Sequence, residues 1–298
     1  MTVRIRSFTD EDLPILVRLV NAAYREAYQF LPYTGEKLCL AMKEAKLQVL
    51  MAEENGKAIG SVAYNDGHWG EEIEWLYVDD AVNRKSSENM LVSEIEKYVK
   101  KGSVFAVVDA GSPKIDEWAE RGYILQNGLY HMVAPLDGLR PIPQVSEIAI
   151  FRSLEPNEEK EFVEAVNAGF GSERVKMGDI ERWKTESPPF SEEWIQVAED
   201  NQKIVSVVVA KLDTYYNTSF KANRGYLGPA TTLPEHRGKN LASALTVRAM
   251  NFLFEKGVDN VALYTAEQNT PSVTLLKKLG FKICHHWQFM RKALPKKE

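Results

Sequence analysis

The sequence has little cysteine, no long apolar run and no excess of positive charge, and each shortage closes off a class of protein. Cys39 and Cys284 are its two cysteines in 298 residues. That is too few for a disulfide framework and fits a reducing compartment. No hydrophobic stretch approaches the ~20 residues needed to cross a bilayer, so no membrane partner is expected. The opening MTVRIRSFTDEDL carries charges where an export signal needs an apolar core, and a cytoplasmic location is expected. A formal charge of −5 argues against broad nucleic-acid binding, so no nucleic-acid partner is expected either. What is present is a globular composition, 44% hydrophobic and 27% charged, in a chain long enough for two domains.

Three prolines and a glycine fall within Ala134-Pro-Leu-Asp-Gly-Leu-Arg-Pro-Ile-Pro143. Such a segment continues neither helix nor central strand and reads as a linker. The chain starts again in the same way on either side of it. Val3–Phe8 and Ile148–Leu154 read as strands, each followed by acids and capping residues and then a run of helical period. Leu47–Ala63 and Trp194–Val209 both read as strand, tight turn, strand. EIEWLYV before SENMLVSEIEKYV matches GYLGPATTL before NLASALTVRAMNFLF. Each half closes on a helix ending in glycine and an aromatic, Gly122-Tyr123 and Gly280-Phe281, where a left-handed residue is wanted. The order of elements predicts a tandem duplication of one α/β unit. The expected division is residues 1–136, a linker over 137–147, and residues 148–298.

The segment LPEHRGKNLASAL, Leu233–Leu245, places a basic, glycine-containing loop where a helix begins. A helix start leaves backbone N–H groups unpaired and carries partial positive charge. With Arg237, Gly238 and Lys239 it makes a place for an anion such as phosphate. A P-loop would need glycine at position 233, which is Leu233, and Ser or Thr after Lys239, where Asn240 stands. No G-x-G-x-x-G opens a helix, which removes a dinucleotide fold.

Together with "ALYTAEQNTPSVTLLKKLGF" downstream, "TTLPEHRGKNLASAL" resembles the GNAT superfamily of acyl-CoA-dependent N-acyltransferases. The likeness covers both halves as a fold and the second half as a site. Its tandem arrangement is similar to that of the mycothiol synthase group. The resemblance implies two tandem GNAT-like α/β domains with mixed sheets, the N-terminal one degenerate. It also implies acetyl-CoA, or another acyl-CoA, as co-substrate. The amides of Gly238, Lys239, Asn240, Leu241, Ala242 and Ser243 would meet its pyrophosphate beside Arg237. Small residues are needed where phosphate nears the backbone, and Gly238 and Ala242 satisfy that. Asn240 departs from the family's glycine, but Asn tolerates a left-handed conformation best among other residues. By the family pattern, Thr231 and Thr232 flank the pantetheine arm and Asn269 contacts it.

Catalytic groups are less plainly written. Many members carry a proton-donating tyrosine on the helix before LGF; the matching residue here is Leu276. Many carry a glutamate base on the strand before the loop; the matching residue is Tyr226, expected on the same face as Thr232 by strand alternation. Tyr226 is therefore the candidate catalytic residue. Cys284-His285-His286 cannot converge on one ion, since strand neighbours face opposite ways, and no metal is expected. The aromatic-rich Tyr215–Phe220 falls in a hairpin region and either lines an acceptor pocket or forms an exposed turn. In the N-terminal half, Val78–Glu88 aligns over Thr232–Ala242. That stretch has no glycine, Asn83 stands for Arg237, Glu88 for Ala242, and Gly111 for Asn269.

The expected function is acetyl transfer to a small-molecule or peptide amine by a monomer or homodimer. Two alternatives remain: a non-catalytic acyl-CoA-binding or sensing protein, and an aminoacyl-tRNA-dependent transferase.

Overall fold

The computed structural model describes residues 3–67, 70–79, 83–145 and 150–296. The expected boundary at 147/148, the first two residues of the strand expected from Ile148, and Asp80–Val82 of the aligned loop lie outside them. The chain divides into two compact units, one of Met1–Leu129 with His286–Glu298, the other of Tyr130–His285.

The first unit runs β1 (Val3–Ser7), α1 (Leu13–Ala23), α2 (Gly35–Glu44), β2 (Gln48–Glu54), β3 (Lys57–Gly67), β4 (Gly70–Val78), α3 (Arg84–Ile95), β5 (Ser103–Asp109), α4 (Lys114–Glu120) and the start of β6 (Ile124–Pro135). Its strands pair in the order β1-β2-β3-β4-β5, antiparallel except for β4 with β5. The second unit takes the end of β6, then β7 (Ile150–Ser153), α5 (Glu159–Phe170), α6 (Asp179–Glu186), β8 (Ile195–Asp200), β9 (Lys203–Leu212), α7 (Thr214–Phe220), β10 (Arg224–Thr232), α8 (Leu241–Glu255), β11 (Asn260–Ala266) and α9 (Thr270–Lys278). There β6-β11-β10-β9-β8-β7 are neighbours, with β10 and β11 parallel. The final strand, β12 (Lys282–Ala293), begins in the second unit.

The duplication extends to irregular features. Arg6 bridges Asp12 and Glu53, at 2.6 and 2.7 Å, as Arg152 bridges Glu158 and Glu199, at 2.6 and 2.7 Å. Register shifts interrupt β2/β3 after Ala52 and β8/β9 after Ala198. The turns behind them hold Asn55 and Gly56 at φ 52 and 73°, and Asn201 and Gln202 at 50 and 63°, the positive angles a two-residue hairpin requires. Gly122 and Gly280, at φ 84 and 87°, close α4 and α9 in the left-handed conformation expected of them.

The two compact units do not coincide with the two halves of the sequence. β12 leaves its own half, and Trp287–Ala293 pair antiparallel with Asp109–Ser103 of β5. Phe289 meets Phe105 edge-on at 5.6 Å and Met290 is buried in the first unit's core. Residues 130–135 of β6 correspondingly belong to the second unit. Burying apolar side chains on an otherwise open strand edge is the driving force. In the second unit, α5 buries Phe162, Ala165 and Val166, and α8 buries Leu241, Leu245, Ala249 and Leu253, at the helical spacing of one face.

Candidate functional site

Strand β10 ends at Thr232, and a single 3-10 turn, Pro234–His236, carries the chain to α8. Gly238 sits at φ 77°, and a Cβ built on it would meet nothing within 4 Å. Asn240 caps the helix at φ 69°, ψ 10°, the left-handed angles anticipated for it. Its amide Nδ2 donates to the Gln144 carbonyl at 2.9 Å, which pins the cap. Ala244 N–H donates to the Asn240 carbonyl at 3.1 Å. The amides upstream of that bond belong to the first helical turn, where no i−4 acceptor exists. The first turn of α8 contains no acid to neutralise its positive end. The helix start thus carries small residues at Gly238, Ala242 and Ser243. Lys239 is half-buried there, Leu241 is held in the core, and Ala242 and Ser243 follow in the first turn.

Arg237 braces this loop. Its Nε donates to the Thr232 carbonyl at 3.2 Å, and Nη2 donates to the Gly169 carbonyl of α5 at 2.8 Å. The guanidinium is therefore tied to the protein.

Strand register corrects one expectation. Tyr226 pairs with Lys211 and Thr232 with Ser206, and the register shifts between Leu227 and Ala230. Lys211 and Ser206 lie an odd number of residues apart on β9, so their partners face opposite sides of the sheet. The bulge at Gly228-Pro229 supplies the extra residue. Thr231, rather than Thr232, therefore shares Tyr226's face, where it packs against Gly169 of α5. Thr232 lies on the α8 side, its hydroxyl 2.7 Å from that of Ser206. The parallel pairing of β10 with β11 runs over Arg224–Tyr226 and Asn260–Ala262. Both strands point their carboxyl ends the same way, so Asn269, three residues beyond β11, stands at the same end of the sheet as the Gly238–Ser243 loop. Its side chain caps α9 by accepting from Ser272 N–H at 3.4 Å.

Tyr226 lies half-buried, its ring 6.0 Å from that of Tyr264. Burial, then Tyr264 and Asp213, push its phenol up to about 12. It holds its proton at neutral pH and can donate one, not accept one. A Cβ on Gly228 would come within 3.1 Å of the Tyr226 ring, so the glycine lets the bulge close over the phenol. Leu276 is buried in the core, which explains a hydrocarbon there. Tyr215–Phe220 forms the short helix α7 instead of a hairpin turn, with Tyr215 exposed and Tyr216 stacked under the Arg224 guanidinium at 3.2 Å. The sequence reading passed over Lys211, Trp183 and His131. Lys211 stands on β9 opposite Tyr226, a pairing that only the register reveals.

Residues 157–281 match the model of the family described as Acetyltransferase (GNAT) family. Among curated proteins, the chain is 28% identical to a mycothiol acetyltransferase of Thermobispora bispora, over 59% of this chain and 65% of that one. It is 28% identical to N-alpha-acetyltransferase 30 of Schizosaccharomyces pombe, over 28% of this chain and 55% of that one. The matched stretches thus span under two thirds of either relative. Among solved structures, a GCN5-related N-acetyltransferase from Sphaerobacter thermophilus superposes with a TM-score of 0.71 at 20% identity, covering 99% of this chain and 97% of that one. A tandem GNAT protein from the clavulanic acid biosynthesis pathway superposes at 0.61 and 14% identity, covering the whole of both chains. At these identities the likeness is one of fold.

Proposed function

We propose, from the match of residues 157–281 to the acetyltransferase (GNAT) family, that the chain transfers an acetyl group from acetyl-CoA to the amine of a small molecule or peptide. The observation that carries the reading is the start of α8. A left-handed Gly238 and Asn240 lead into a helix whose first turn has no acid and carries the small residues Ala242 and Ser243. Such an end suits a pyrophosphate, since amides and macrodipole both favour it. The residues assigned to acetyl-CoA are Thr231, Gly238, Lys239, Asn240, Leu241, Ala242, Ser243 and Asn269, with Arg237 bracing the loop and Thr232 closing it from the α8 side.

In the reaction, the neutral amine attacks the thioester carbonyl, a C–N bond forms, and the C–S bond breaks as the amine loses a proton and the thiolate gains one. Tyr226, protonated at neutral pH, is the proposed donor to the thiolate. Alignment of the two substrates supplies much of the remaining rate.

The buried Leu276, which brings no hydroxyl where the family resemblance implies a tyrosine, favours one second reading, a protein that binds acyl-CoA without turnover. One assay separates the two: acetyl-CoA with a panel of amines, following free thiol. Amine-dependent thiol release supports transfer. A rise in melting temperature with acetyl-CoA but no thiol release supports binding alone. At ligand ~100-fold above its Kd the stabilisation is about 2.7 kcal/mol, and no shift at millimolar acetyl-CoA removes both readings.

A further inference from the structure

In the second unit, four adjacent strands present Lys211, Tyr226, Tyr264 and His131 along the face that carries α5 and α6. Lys211 Nζ stands 4.4 Å from the ring centroid of Trp183 and 6.0 Å from that of Tyr226. Tyr264 continues the row, 6.0 Å from Tyr226 and 4.9 Å from His131, centroid to centroid. The other charges nearby are satisfied. Arg224 Nε and Nη2 donate to Asp213 at 2.9 and 2.7 Å, and Arg182 is engaged by Asp179 and Glu186 at 2.8 and 3.5 Å. His131 is neutral at pH 7, burial and then Arg224 having brought it down to about 4. Among the described residues, no carboxylate lies within ion-pair distance of Lys211. Burial, then Arg182, draws its amine below the ordinary lysine value, while Glu186 and Asp179 act the other way.

A half-buried ammonium with ring faces for neighbours is poorly solvated, and an incoming anion restores what water no longer supplies. We infer that Lys211 selects the acceptor by binding a carboxylate on the amine substrate, whose apolar part rests on Tyr226 and Tyr264. The amine half of this inference rests on the acetyltransferase reading; the carboxylate half does not. A single ammonium matches a monoanion, whereas a phosphate dianion would leave a second charge uncompensated beside the rings. Lys211 is paired with Tyr226 one residue before the bulge begins. Both residues thus lie on the strands that lead into the bulge, and β10 continues from it to Thr232, where the proposed acyl site begins. Amino acids and short peptides with free C-termini fit this description.

The test titrates a panel of dipeptides, as free acids and as C-terminal amides, into the full chain by calorimetry, with thiol release from acetyl-CoA measured in parallel. Wild type is expected to bind at least one free acid ~10- to 100-fold tighter than its amide, the range of a hydrogen bond to a charged group. Lys211→Met should erase that margin while acetyl-CoA affinity stays the same; Lys211→Arg should keep part of it. Lys211→Gln serves if the methionine variant does not fold. Equal affinity for acids and amides, or a margin that survives in Lys211→Met, overturns the inference. Carboxylate-dependent binding without thiol release for any amine would remove the transfer reaction and leave the Lys211 site standing.

Discussion

The two units reach their central helices by different routes from strands of the same length. β10 ends at Thr232 and α8 begins at Leu241, after a loop with two left-handed residues. β4 ends at Val78, yet α3 already begins at Arg84. Aligned on the strand ends, Arg84, Lys85 and Ser86 of α3 occupy the places of Gly238, Lys239 and Asn240. The residues that form an open loop in one unit are wound into helix in the other. Ser87 N–H accordingly donates to the Asn83 carbonyl at 3.0 Å, a helical bond. Beyond it, Glu88 takes the place of Ala242 and is buried between Arg84 and Arg121, at 2.9 and 2.8 Å. Arg121 in turn lies over the Trp118 ring at 5.2 Å. In the first unit the helix is wound through the loop and its one carboxylate at this place is held by two arginines. In the second, the loop stays open and the first turn of α8 holds no acid.

The largest effect is expected from writing Glu88 into the second unit as Ala242→Glu. The partners that make Glu88 tolerable are absent there, since Gly238 and Leu279 align with Arg84 and Arg121. A carboxylate ~4 Å from a phosphate charge at a partly screened site repels it by about 4 kcal/mol, close to a thousandfold in affinity. Calorimetry should give one acetyl-CoA per wild-type chain and none for the variant, with the melting temperature unchanged. Two per wild-type chain would mean that the first unit also binds.

The converse change, Glu88→Ala, leaves a buried guanidinium uncompensated. Losing one partner of such a pair costs about 3 kcal/mol, read as a lower urea midpoint. It should create no second acetyl-CoA site, because α3 remains wound through the loop.

The strands differ too. Glu72 aligns with Tyr226, and burial and then the neighbouring Glu74 raise its carboxyl from the ordinary 4.5 to about 8. Below pH 4.5 the group is protonated whether folded or not and costs nothing. Between 4.5 and 8 the unfolded chain releases the proton while the folded one keeps it, so stability falls as pH rises and levels off above 8. Glu72→Gln should flatten that decline and exceed wild type by about 2 kcal/mol at pH 6, with little gain at pH 4. Urea unfolding at the two pH values measures it, and parallel pH profiles for both proteins would reject the assignment.

The shared plan was legible because its signals are local. Asn-Gly marks a hairpin, and glycine after a helix marks a left-handed close. Asn240 at a cap position foretold its own backbone angles. What stayed hidden depends on partners distant in sequence. The bulge that puts Thr232 behind the sheet emerges only from register with β9, and with it goes the pairing of Tyr226 with Lys211. Trp287–Ala293 fall in the second half of the sequence, yet Met290 is buried in the first unit's core and Phe289 meets Phe105. Tyr215–Phe220 carries aromatics that suit a strand. It is helical because Asp213 caps it, accepting from Tyr216 N–H at 3.3 Å, and because Arg224 covers Tyr216. The Glu88–Arg121 pair joins residues from two helices, and the sequence contains no local sign of it.

The smallest effect separates conformation from chemistry at Asn240, whose counterpart Ser86 is helical. Asn240 contributes a left-handed backbone and one side-chain bond, to the Gln144 carbonyl. Asn240→Gly keeps the first and loses the second. Glycine meets no penalty at positive φ, while a lost hydrogen bond costs about 1 kcal/mol, so the net change in stability should stay within roughly that amount. Asn240→Ala loses both, adding ~1 kcal/mol for an L-residue held left-handed. If the loop binds acetyl-CoA through its amides, the glycine variant should retain wild-type affinity, because the backbone path is preserved. The alanine variant should weaken binding by up to tenfold as the loop relaxes toward the helical path that Arg84–Ser86 follow in the first unit. Calorimetric Kd values with parallel melting curves resolve the pair. A glycine variant that binds as poorly as alanine would place the recognition in the Asn240 side chain and not in the path of the backbone.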